Sequence, residues 1–236
     1  MSYQDFYKYY TGHLGRSGNT LNSYAQFTGG QLQAGGSLQA ITPYIIEERQ
    51  MNMQAIDVFS RIMVDRIIFL GTGVDDQVAN IINAQLLYLE NADATRDVTI
   101  FVNSPGGSVY AGLGIYDVMQ YVKPEIATVC TGMAASFGAV ILAAGQKGKR
   151  SGLPHARIMI HQPWGSAQGQ TSDIAIIAKQ YAILKTELSQ ILADHCGKTL
   201  EQIIQDSDRD YWMRSDEAVD YGLIDEVIKT KKSPKG

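Results

Sequence analysis

A chain of 236 residues, 45% of them apolar, is long enough for one large core or for a core with a tail. Its 20 basic and 24 acidic side chains leave a net charge of −4 with no basic block, which excludes nucleic acid or an anionic membrane as the main partner. Two cysteines, Cys130 and Cys196, supply neither a disulfide framework nor metal spacing; they fit a reducing compartment, with both as free structural thiols.

Residues 1–39 are polar and rich in tyrosine and glycine, with no repeating apolar face. They also lack the basic start and apolar core of a secretory signal, so a tail, propeptide or linker is expected. From Arg66 a strand–helix rhythm begins. Ile67 to Leu70 reads as a short strand stopped by Gly71, and Val78, Ile81, Ile82, Leu86 and Leu89 form a helical stripe. Val98 to Val102 is the next strand, followed by Asn103-Ser104-Pro105-Gly106-Gly107 and a helix from Val109 to Val122. The alternation predicts an α/β domain with a largely parallel sheet.

The uncharged run from Ile126 to Gln146 has the length of a membrane span, but Gly132, Gly138 and Gly145 interrupt it. It reads as a buried strand to Cys130, a turn at Gly132 and a helix from Ala134 to Ala144. A strand from Arg157 to Ile160 and a long helix from about Ser172 to His195 follow. Ile174, Ile177, Tyr181, Leu184, Leu188 and Ile191 line one face of that helix. Ile176, Ile183 and Leu192 lie outside the stripe, an excess of apolar surface that suits an oligomer interface. Gly197 caps this helix, Thr199 to Gln202 reads as a capping box, and Ser215 opens a short helix that Gly222 ends. Leu223 to Ile228 is a last apolar segment before the solvated tail of residues 229–236.

Ser136 falls where a strand hands over to a helix, so unpaired backbone N–H groups and the helix dipole can stabilise an oxyanion beside it. An N-cap serine is the plain alternative. A serine nucleophile needs a base, and four histidines are available. His13 lies in the tail, His155 in a loop and His195 in the last turn of the long helix, where it favours the dipole; His161 ends a strand before Gln162-Pro163. Strand ends facing loops are where α/β sheets place catalytic groups, which favours His161. Gly106-Gly107 can bring a second backbone donor close to a substrate, or can simply form a tight turn. Asp206, Asp208 and Asp210 are equal candidates for the orienting carboxylate.

In order and in one register from about Ala40 to Ile228, several of these segments resemble the ClpP peptidase family. They are Phe101 to Gly107, Thr131 to Ser136, Lys147 to Arg150, Met159 to Pro163 and Asp208-Arg209-Asp210. The separations of 25 positions from Ser136 to His161 and 49 from His161 to Asp210 match that family's triad. The resemblance therefore selects Asp210 among the three aspartates.

It implies the crotonase-like ClpP fold for residues 40–228, with a head domain and a projecting handle made by the long helix. It implies a serine endopeptidase in which Ser136 attacks, His161 is base and then acid, and Asp210 orients the imidazole, with no cofactor or metal. The N–H groups of Gly107 and Phe137 become the oxyanion hole, and Val109, Trp164 and Gly165 flank an extended substrate. Two heptameric rings stack through their handles into a tetradecamer. A hexameric Clp-class ATPase of ClpX, ClpA or ClpC type docks at Leu87, Phe101, Tyr121, Leu153 and Ile228 and feeds in unfolded proteins in the cytoplasm. Ser151 and Thr131, smaller than their family counterparts, imply a shallower docking pocket. The sequence has no Walker-type glycine–lysine motif of its own. A non-catalytic ring subunit and a CoA-ester hydratase or hydrolase of related fold are the rival readings; the retained triad residues and the long helix count against them.

Overall fold

The computed structural model describes residues 44–49 and 52–229, with side chains from residue 57 onward. The expected tail of residues 1–39 and all but the first residue of 229–236 lie outside the described residues. Strands β1 (Tyr44–Arg49) and β2 (Asn52–Asp57) form an antiparallel hairpin that no sequence pattern announced. Asp57 then caps α1 (Val58–Val64), its carboxylate accepting from the Ser60 backbone N–H at 3.0 Å and from the Ser60 hydroxyl.

The expected α/β rhythm follows as β3 (Ile67–Leu70), α2 (Asp76–Ala92), β4 (Val98–Ser104) and α3 (Val109–Tyr121). On α2 the buried positions Ala79, Ile82, Leu86 and Leu89 recur at helical spacing, and Asp75 caps the helix by accepting from Val78 N at 2.8 Å. On β4 burial alternates, with Val98, Ile100, Val102 and Ser104 turned inward. The chain continues through β5 (Ile126–Ala135), α4 (Phe137–Ala143), β6 (Arg150–Gly152), β7 (Arg157–Ile160) and α5 (Thr171–Cys196). It ends with α6 (Leu200–Asp206), β8 (Tyr211–Arg214), α7 (Ser215–Tyr221) and β9 (Glu226–Val227).

Nearly all pairs in the seven-stranded sheet are parallel, the exception being β7 with β8. Its organising strand is β5, which is shared. Thr128–Cys130 pairs with β6, whereas Met133–Ala135 pairs with β7. On its other side β5 follows β4 throughout, across an irregularity between Val102 and Ser104.

This forked pairing overturns two sequence expectations. The strand does not stop at Cys130; it runs through Gly132 to Ala135, and the helix begins only at Phe137. Residues 133–135 have helix-forming side chains, but β7 offers them ladder hydrogen bonds, and tertiary pairing outweighs a weak local propensity. Nor does Gly132 make a turn. A Cβ there would lie 2.6 Å from Asn103 Oδ1, the atom that accepts from Met133 N at 3.1 Å, so the glycine permits a close approach inside the sheet.

The long helix divides in two. Leu184, Leu188, Leu192 and Ala193 are buried, while Ile174, Ile176 and Ile183 on its outer half are exposed. Gly197 ends it in the left-handed region at φ 67°. Thr199 caps α6 by accepting from Gln202 N at 3.2 Å, but the Gln202 amide turns forward to Asp206, so the reciprocal half of the expected capping box is not formed by it. His195 stands in the last turn as expected; burial, then the nearby Arg150 charge, hold its pKa below the usual imidazole value, and its Nε2 meets the Tyr116 hydroxyl at 3.2 Å. Both cysteines are free thiols, each pushed up to about 11 by burial.

Arg150, 3% exposed, ties the ends of two helices to the segment before β9. Its guanidinium donates to the carbonyls of Ala143 at the end of α4 and His195 near the end of α5, and it grips Asp225 through two bonds of 2.7 and 3.0 Å. Burial pushes the Asp225 carboxyl up, but bonds from the Arg150 side chain and backbone, the guanidinium charge and Gly148 N–H outweigh it and hold the pKa below 3.8. This stabilisation is therefore complete above the unfolded value and is lost as pH falls through the lower folded one. Asp225→Ala leaves a buried guanidinium without its counter-ion and is expected to cost about 3–5 kcal/mol. Thermal melts should show a lowered Tm at neutral pH and a gap to wild type that narrows below about pH 4.

Candidate active site

Strand register places the three candidate side chains side by side. Ala135 pairs with Met159 and Ile160 pairs with Tyr211, so Ser136, His161 and Asp210 all stand one residue beyond adjoining strand positions. The imidazole bridges the other two: His161 Nε2 lies 2.8 Å from Ser136 Oγ and Nδ1 lies 3.0 Å from Asp210 Oδ1. An ionised carboxylate only accepts, so Nδ1 carries the proton and Nε2 is left to accept from the serine hydroxyl. Asp206 lies elsewhere, accepting from the Tyr221 hydroxyl at 2.7 Å, and Asp208 takes the Gln162 amide. His155 and His195 stay outside the site, and His13 is outside the described residues.

Ser136 is not a helix cap in the ordinary sense. Its side chain makes no capping bond, and its backbone sits at φ 54°, ψ −124°, a region costly for a residue with a Cβ, at about 1–3 kcal/mol. The turn is held by Ser136 N–H donating to Met159 O at 2.9 Å and by α4, every residue of which is buried. Phe137 opens α4, so its N–H is among the donors that a helix leaves without an internal partner.

Gly106 and Gly107 close the site from the β4 side. A Cβ on Gly106 (φ 86°) would come within 2.7 Å of Ala135 O and Ser136 Cβ and 2.8 Å of Phe137 N. Gly107 is stitched to the loop after β3, with Val74 N donating to Gly106 O at 2.9 Å and Ser108 N to Val74 O at 2.8 Å. Sequence reasoning missed Val74 in this role, since one valine after Gly73 carries no signal of its own. Beside Ser136 and His161 opens a small cleft with apolar walls of Val109, Phe137, Val140, Ile160, Leu188 and Leu192 and with Gln162, Ser189 and Ser207 as further polar members.

Trp164 is 81% exposed beside His161, in a segment without regular structure, and Gly165 lies so close to the Tyr181 hydroxyl of α5 that a Cβ would collide with it. The docking candidates are spread over several elements. Leu87 and Tyr121 are exposed on helices, and Phe101 stacks at 5.2 Å on Phe69, itself edge-on to Phe59. Leu153 and Ile228 adjoin the β6–β9 pair, where Ile228 N donates to Gly152 O at 3.0 Å. Ser151 is buried in that pair, its hydroxyl on Thr128 O at 3.3 Å. Among the described residues no His, Cys, Asp and Glu cluster could hold a metal ion, and no helix is long and apolar enough to cross a membrane.

An α/β sheet presenting a serine, a histidine and an aspartate in one hydrogen-bonded row is the framework of a serine hydrolase. Residues 49–231 match the family described as Clp protease. Over 227 residues the chain is 56% identical to proteins named ATP-dependent Clp protease proteolytic subunit from Bacteroides fragilis and Bacteroides thetaiotaomicron, covering 96% of this chain and 99% of each relative. A protein of the same name from Porphyromonas gingivalis is 53% identical over 97% of this chain and 99% of its own length. The chain belongs to the Clp protease family, and it is a serine peptidase of mixed α/β fold.

The close packing around Gly106 yields a test. Gly106→Ala drives a methyl into the serine turn, and a displacement of the reacting atoms by about 1 Å costs on the order of a hundredfold in turnover. Peptidase assays should show that loss, with circular dichroism of the folded protein unchanged.

Proposed function

We propose that this chain is the proteolytic subunit of an ATP-dependent Clp protease, an endopeptidase that cuts unfolded proteins delivered by a separate Clp-class ATPase. The observation that carries the reading is the unbroken row from Ser136 Oγ through His161 to Asp210. Ser136 attacks the peptide carbonyl as His161 Nε2 takes its proton, and His161 then returns that proton to the leaving amine. Asp210 keeps the imidazole in the required tautomer and stabilises the imidazolium. Backbone N–H groups of Gly107 and Phe137 receive the oxyanion, each worth about 3 kcal/mol in other serine proteases. The apolar cleft beside the nucleophile favours an apolar side chain on the acyl side of the cut bond, and Val109, Trp164 and Gly165 border the substrate path.

In the same reading two heptameric rings of this chain enclose the sites, the exposed outer half of α5 joins ring to ring, and the work is done in the cytoplasm. A ClpX-, ClpA- or ClpC-type hexamer docks over Leu87, Phe101, Tyr121, Leu153 and Ile228. Residues 1–39 are a propeptide cut by Ser136 of the assembled enzyme; a full-length Ser136→Ala chain beside a shortened wild type, read by mass spectrometry, is the expected result.

Ser136→Ala should lower hydrolysis of a short fluorogenic peptide by roughly a million-fold and abolish fluorophosphonate labelling. Appreciable peptidase activity in that variant would sink the assignment. Ile183 is exposed in the single chain, so Ile183→Glu should fold normally; if the residue is covered by a second ring, the buried carboxylate disfavours stacking. Light scattering should then report single rings, and an unchanged particle would remove Ile183 from the contact.

A further inference from the structure

Asp210 is carried by a short connection between α6 and β8, and its side chain is 59% exposed. A carboxylate this open to water is positioned by the backbone beneath it, not by packing. The downstream end of the connection is fixed where Tyr211 pairs with Ile160. At the upstream end Ser207 is fixed to the end of α6, its N–H and hydroxyl both donating to Ile203 O at 2.9 and 2.6 Å, and Gln162, the immediate neighbour of the imidazole, joins this end to β7. The Gln162 backbone N–H donates to Ser207 O at 2.6 Å, and its side-chain Nε2 donates to Asp208 O at 2.8 Å and Asp208 Oδ1 at 3.2 Å. Its Oε1 accepts from Lys185 Nζ, on α5, at 2.8 Å. The ammonium has no acceptor, so it can bind only the oxygen of the amide, which turns the nitrogen toward Asp208.

We infer that Gln162 and Lys185 are positioning residues for hydrolysis: Lys185 fixes the Gln162 amide, and Gln162 holds the loop at the distance from which Asp210 meets His161. The long helix is thereby joined to the loop that carries Asp210 through the Lys185–Gln162 bond and the two Gln162–Asp208 bonds. Within the single chain Arg209 adds little to this anchoring, since its side chain is 92% exposed and its Nε lies 3.8 Å from Asp208. The inference rests on the triad assignment made above.

The test uses the full-length assembled enzyme and a short fluorogenic peptide. Gln162→Leu should lower kcat roughly ten- to a hundredfold with KM unchanged, and should slow fluorophosphonate labelling of Ser136 in proportion. Particle mass and Tm should match wild type. Gln162→Glu keeps the acceptor for Lys185 but loses the donor to Asp208, so it should fall as far. Lys185→Met should lower kcat by a smaller factor, and Lys185→Arg should restore it. In a double-mutant cycle, adding Lys185→Met to Gln162→Leu should cost nothing further. Wild-type kcat in Gln162→Leu overturns the inference, as does a loss that appears in KM or follows particle dissociation; a fully additive cycle overturns the link through Lys185. Ser136→Ala run alongside separates the two readings, because activity in it refutes the triad itself, whereas an inactive Ser136→Ala beside a fully active Gln162→Leu refutes only the positioning network.

Discussion

The site depends on one pairing, that of residues 133–135 with residues 157–159. Side chains alternate along a strand, so a slip of one residue there would turn Ser136 away from His161 and reverse the faces of both strands. The slip is opposed by burial on both sides. Ala134, Ile158 and Ile160 are enclosed, and β7 is held on its other edge by β8. The same register that buries these side chains therefore aligns serine, histidine and aspartate. Catalytic geometry and core packing are one constraint here, not two.

The strained serine turn shows how the surroundings sustain an unfavourable conformation. A positive φ at Ser136 costs about as much as one good buried methyl group or two contributes. Against it stand a fully buried helix, a hydrogen bond to Met159 and the Phe137 ring, against which Gly112 of α3 packs without room for a side chain. Residues without Cβ atoms at 106, 112 and 132 let strands and helices approach closely enough to hold the turn. The strain keeps the hydroxyl aimed out of the helix and at the imidazole.

Much of this was legible in the sequence. Long, strongly patterned elements such as β4, α2 and α5 were visible from periodicity, and the serine at a strand–helix junction was visible from its neighbours. Three kinds of feature were hidden. Short strands such as β6 and β8 have too few residues to show alternation, and the hairpin β1–β2 has no clean pattern. The end of β5 was misread because its residues are locally suited to a helix and only a distant strand makes them extended. The choice of Asp210 over Asp206 and Asp208 could not come from local chemistry, because three carboxylates spaced by two residues look alike until Tyr221 and Gln162 take two of them. Resemblance to a known family supplied that choice; hydrogen bonding explains it.

The outer half of α5 has a thermodynamic consequence of its own. Helical segments that lack tertiary packing are marginal in water, and here Ile174, Ile176 and Ile183 stand exposed, although Tyr181 lies against Gly165. A partner that covered this face and bound only the ordered helix would stabilise it by mass action. Because Lys185 follows directly on this segment and its ammonium meets Gln162 at 2.8 Å, whatever covered the outer half of α5 would bear on the helix that holds the neighbour of the imidazole.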